Sequence, residues 1–95
     1  MTYVVVTTLE QASWDQYQQV SQHAMAEGHP AGLQVHTAAP VEGVVQIVDL
    51  WDSEEEYLRF RDGALMGAVR DVMGEQAMQH PPSGWRFEAK DLVTR

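Results

Sequence analysis

The segment Thr2–Leu9 reads TYVVVTTL, and it is apolar or β-branched on both sides of a pleat. Successive side chains of a strand point to opposite faces, so Tyr3, Val5, Thr7 and Leu9 share one side and Val4, Val6 and Thr8 the other. A strand of that kind belongs where both of its faces are covered. Val44–Trp51, VVQIVDLW, has the same character. Two such strands are a strong constraint, because a small domain with helices on only one side of its sheet leaves the other side bare.

The rest of the chain supplies those helices. Ser13 with Gln16 has capping-box spacing, and an apolar stripe of Trp14, Tyr17, Val20, Ala24 and Met25 predicts a helix running to about Glu27. Gly28, Pro30 and Gly32 then release the chain. Leu33–Ala39 and Val44–Trp51 read as a hairpin joined by APVEG. Ser53 and Glu56 repeat the cap spacing, and Glu54 and Glu55 fall in a first turn where the helix dipole favours anions. Tyr57, Phe60 and Leu65 line this second helix, Gly63 interrupts it, and Val69, Val72 and Met73 continue it to Gly74. His80-Pro81-Pro82 reads as an extended linker, and Trp85–Val93 as a last strand. Met25, Met66, Met73 and Met78 recur at helical spacings as soft core or pocket lining.

The order is βαββαβ, the split βαβ of ferredoxin-like α+β folds: a four-stranded antiparallel sheet with both helices on one face. Residues 1–95 form one domain. A chain this short buries only about 60–65% of its unfolded surface. A second copy laid sheet to sheet is the cheapest cover for the bare face, so a homodimer is expected. The 14 acidic against 6 basic residues leave a net charge of −8, which argues against nucleic acid and anionic membranes as partners. There is no cysteine, hence no disulfide, thiolate metal site or cysteine nucleophile. No apolar run is long enough for a membrane span and MTYVVVTTLE has no basic leader, so a cytoplasmic protein is expected.

The element order, GLQVHTA in the second strand and VVQIVDLWDSEEEYLRF across the third strand and second helix resemble the antibiotic biosynthesis monooxygenase-like superfamily. That resemblance implies a dimeric α+β barrel with a pocket between sheet and helices. It implies that Trp51 borders the pocket, that Tyr57 reaches the substrate, that His36 stands where the family has a strand-two histidine, and that Arg70 stands for a helix-two arginine. Two family features are missing. Ile47 stands at the place of the oxygenases' strand asparagine, and LMGAVRDVM has no histidine to ligate haem.

Each of these residues has a plain reading beside the functional one. Trp51 is an aromatic wall or simply core at a strand–helix seam. An imidazole with an ordinary pKa near 6.5 suits proton abstraction, but His36 could equally face solvent or a dimer interface. Tyr57 hydrogen-bonds a substrate oxygen or packs its helix. Asp49, on the Trp51 side of the pleat, is a base facing a pocket or a carboxylate at a wet strand end. Arg70 neutralises an enolate or is a surface charge. His23, Glu27 and His29 make a poor metal set, so no metal is expected. The expected function is a cofactor-independent monooxygenase for a small aromatic or polyketide-like substrate. In it His36 and Tyr57 act on the substrate, and Trp51, Asp49 and Arg70 bind it. A polyketide cyclase and a non-catalytic ligand-binding or stress-related barrel are the alternatives.

Overall fold

The computed structural model describes residues 1–79 and 81–95. Strand β1 is Tyr3–Leu9, helix α1 Trp14–Ala24, β2 Leu33–Val41 and β3 Val44–Trp51. Helix α2 is Glu54–Phe60, followed without a break by a π-helical turn, Arg61–Leu65, and by α3, Met66–Met73. A 3-10 turn, Glu75–Gln79, precedes β4, Ser83–Glu88. The strands lie in the order β2-β3-β1-β4, every neighbouring pair antiparallel, with the helices on one face. This is the ferredoxin-like α+β architecture that the element order implied.

Local chemistry explains most of the boundaries. At α1 the Gln16 amide donates to Ser13 Oγ at 3.1 Å and the Ser13 amide to Gln16 Oε1 at 3.0 Å, a complete capping box. The helix stops at Ala24, three residues before the expected end. At α2 the Glu56 amide donates to Ser53 Oγ at 3.2 Å. Glu42 and Gly43 both have positive φ, 49° and 89°, the two-residue turn whose twist matches paired strands. Pairing therefore continues to Val41↔Val44, and β2 absorbs most of the expected connection. Gly63 widens the second helix into the π turn instead of breaking it. Gly74, at φ 88°, ends α3.

The last strand differs from expectation. It starts at Ser83 and ends at Glu88, not Val93, because its partner β1 runs out at the Tyr3↔Glu88 pair, leaving one further bond from the Ala89 amide to the Thr2 carbonyl. Gly84 lies so close to β1 that a Cβ there would meet the Val6 carbonyl oxygen at 2.0 Å. Of the expected linker, His80 lies outside the described residues, and Pro81 and Pro82 carry no regular structure.

Under the helices, two hydrophobic clusters divide the covered face. Val5, Leu33 and Trp51 form one, with Tyr3, Met25, Tyr57 and Phe60 packed on it. Tyr17, Val45 and Ile47 form the other, with Leu9, Trp14 and Ala38. The opposite face carries Val4, Val6, Val48 and Leu50 along the central strands, beside Val35 and Phe87, both 46–48% exposed, and Trp85 at 63%. Among the described residues, no helix is long and apolar enough to cross a membrane.

Candidate functional site

A cavity of about 900 Å³ lies between the sheet and the helices. It is lined by residues of both clusters, and between them β3 turns polar for one residue. Along its covered face β3 reads Val45, Ile47, Asp49, Trp51, and Asp49 is the break in an otherwise apolar row. His36 is the Cα partner of Asp49 across the β2–β3 ladder. Directly opposed residues carry their side chains on the same face at close range. The result is a 2.5 Å hydrogen bond from His36 Nδ1–H to Asp49 Oδ1. The side chains of His36 and Asp49 are 26% and 16% exposed.

Helix α1 closes the other side of the imidazole. Tyr17 Oη lies 2.6 Å from His36 Nε2. With the Nδ1 proton held by Asp49, Nε2 is the acceptor and the phenol the donor. The hydrogen bond to Asp49 raises the His36 pKa above its ordinary value; partial burial opposes this, and the charge of Asp49 adds to it. The Tyr17 pKa is raised too, first by burial and then by the Asp49 charge, against a lowering contact from Ser21. Tyr17 is therefore a neutral phenol beside a histidine that holds its proton more tightly than usual. It was legible in the sequence only as one member of an apolar stripe.

The aromatic wall is built differently. Trp51 is 1% exposed, its ring 5.9 Å from Tyr57 in an edge-on arrangement and 5.4 Å from Phe60. Its Nε1–H is buried with no partner among the described residues. Tyr57 sits between two cations, with the Arg86 guanidinium 5.5 Å and the Arg61 guanidinium 5.8 Å from its ring centre.

Of the five residues singled out in the sequence, His36, Asp49, Trp51 and Tyr57 line the cavity. Arg70 does not: it is exposed on α3, and Arg61 lines the cavity instead. His23 pairs with Asp71 at 3.1 Å, and His29 Nε2 donates to the Leu33 carbonyl at 2.6 Å, so neither points at a shared centre. Among the described residues there is no group of three potential metal ligands.

No family model matches the sequence, and no curated protein matches it. Solved structures do match, over nearly the whole chain. A candidate antibiotic biosynthesis monooxygenase from Deinococcus radiodurans superposes with a TM-score of 0.64 at 16% identity, covering 100% of this chain and 98% of that one. SnoaB, a cofactor-independent oxygenase from Streptomyces nogalater, gives 0.60 at 11%, covering 99% and 97%. The haem degrader MhuD from Mycobacterium tuberculosis, with two haems bound in its active site, gives 0.59 at 19%, covering 99% and 100%. At these identities the likeness is one of fold, and the fold is that of the antibiotic biosynthesis monooxygenase-like proteins.

Proposed function

We propose that this chain, built on the antibiotic biosynthesis monooxygenase-like fold, binds a flat aromatic or polyketide-like molecule between sheet and helices and oxidises it without a cofactor. The observation that carries the reading is the His36–Asp49 pair set into the wall of a large, mostly apolar cavity. A base inside a water-poor pocket is what removal of a phenolic or activated C–H proton requires. The carboxylate of Asp49 fixes the imidazole tautomer and stabilises the imidazolium that forms. The deprotonated substrate is electron-rich enough to reduce dioxygen, so it supplies the electrons itself. Trp51, packed with Tyr57 and Phe60, backs the cavity with an aromatic wall for a flat ligand. Arg61 at the cavity edge would draw negative charge on the ligand towards Tyr57.

Tryptophan fluorescence of the wild type and Trp51→Phe, titrated with anthrones, naphthols and flavonoids, tests the binding. Oxygen uptake on the binders then tests the chemistry. Unchanged turnover in His36→Ala would remove the mechanism. Product formation without oxygen would turn the reading to a cyclase, which uses the same base.

Assembly belongs to the same reading. A second copy packed on the open sheet face covers Trp85, Phe87, Val35 and their neighbours. Sedimentation at micromolar concentration is expected to give a dimer for the wild type and a monomer for Trp85→Asp/Phe87→Asp; a monomeric wild type would end this part.

A further inference from the structure

Both ring nitrogens of His36 are occupied, Nδ1 by Asp49 and Nε2 by the Tyr17 hydroxyl. A molecule in the cavity therefore meets no free imidazole nitrogen. Tyr17 cannot easily swing aside to expose one. It is 8% exposed, its ring stacks on Trp14 at 5.1 Å and 24°, and it packs in the cluster with Val45 and Ile47. Tyr17 and His36 also border a second space, an outer groove of about 420 Å³ between α1 and β2. The two residues thus partition the inner cavity from a groove open to solvent.

We infer that Tyr17 is the group that takes a proton from a molecule in the cavity, and that it hands its own proton to His36 in the same step. The inference deepens the proposed function and rests on its reading of the cavity as one that takes a phenolic or enolisable molecule. In the step the ligand's O–H or C–H bond breaks and its electron pair stays on the ligand. A new O–H bond forms on Tyr17 Oη, the old one breaks, and an N–H bond forms on His36 Nε2. Tyr17 ends as it began, a neutral phenol, and at no point need it become a phenolate. That is the consistent route for a phenol whose burial raises its pKa. The positive charge rests on the imidazolium against Asp49, and with both ring nitrogens held the proton leaves back through Tyr17, which also borders the outer groove. Phenylalanine would fill the core at position 17 equally well, so the hydroxyl is the part that packing alone leaves unexplained.

Two measurements test this, the first without any ligand. In nitrogen NMR of the free protein, the His36 Nε2 resonance is expected at the position of a hydrogen-bonded acceptor, moving to that of an unbonded one in Tyr17→Phe. No movement overturns the inference. The second uses anthrone, with oxygen uptake and binding followed for the wild type, Tyr17→Phe, His36→Gln and the double variant. Each single variant is expected to bind anthrone comparably and to lose the same factor in turnover, on the order of 10²–10³. The double variant is expected to lose no more, because the two residues act as one unit. Wild-type turnover in Tyr17→Phe with loss only in His36→Gln would make His36 the direct base and overturn the inference. If Tyr17→Phe fails to fold, a fluorinated tyrosine at position 17 keeps the packing and makes the phenol more acidic. The relay then requires turnover to change with it, and direct abstraction by His36 requires that it does not. If the wild type neither binds nor oxidises anthrone, it is the aromatic-substrate reading that falls; the free-protein spectrum alone then decides whether Tyr17 caps His36.

Discussion

Asp49 and Trp51 are two residues apart on the same face of β3, yet the neighbourhoods they anchor have little in common. Around Asp49 the polar atoms are matched: carboxylate to imidazole, imidazole to phenol. Around Trp51 the surroundings are aromatic and dry, and the one polar atom, the indole N–H, has no partner. The first arrangement is complete before any ligand arrives, which suits a group that must move a proton on demand. The second is held by packing and seals its one donor inside, which suits a rigid wall rather than a reacting group. A single strand supplies both because its alternation lets one polar residue interrupt an apolar row without disturbing the ladder.

The comparison breaks most readily at its aromatic end. Trp51→Ala empties a site that is 1% exposed, and loss of a buried Trp or Phe costs about 3–5 kcal/mol. Chemical denaturation is expected to show a loss of that size; a cost below about 1 kcal/mol would mean that Trp51 does not hold the seam between β3 and α2. At the polar end the effects are smaller. Tyr17→Phe keeps the ring in its cluster and removes one hydrogen bond, for an expected cost of about 1 kcal/mol. Should the two variants cost the same, the division of the covered face into a packed end and a polar end would not hold energetically.

Much of this was legible in the sequence, and the failures have physical causes. The two-faced strands and the Ser13 and Ser53 caps are local signals, carried by neighbouring residues, whereas the break expected at Gly63 is a π turn within a continuous helix. Tyr17 and His36 are 19 residues apart, and nothing in either segment announces that α1 will set its tyrosine on that imidazole. Asp49 stood out as a carboxylate in an apolar row, but naming its partner needed the β2–β3 register, which a bulge between Leu33 and Val35 shifts. Arg70 illustrates a third kind of failure. Its placement comes from the resemblance to a helix-two arginine. Successive helical residues turn by about 100°, so Arg61 and Arg70, nine apart, fall on opposite sides, and it is Arg61 that lines the cavity while Arg70 is exposed. The end of β4 depended on the length of its partner strand, which its own pattern of alternation does not record.

The subtlest consequence is in the pH dependence of the polar end. The His36 pKa is raised above 6.5, chiefly by its hydrogen bond to Asp49. A histidine whose folded pKa exceeds its unfolded one contributes stability that is fully present below the unfolded value and is lost as pH rises through the folded value. Proton abstraction runs the other way, because only the neutral imidazole can receive a proton, so turnover should rise across the same window. Stability and activity are thus expected to move in opposite directions as pH rises from about 6.5 through the raised His36 value. Asp49→Asn removes both the hydrogen bond to the charged form and the attraction, leaving burial, which lowers the His36 pKa. The acid limb of turnover should then shift to lower pH, and the extra stability on the acid side should shrink with it. Rate profiles and denaturation midpoints taken together check this. If the limb stays in place in Asp49→Asn, a different group carries it, and Asp49 only positions the ring.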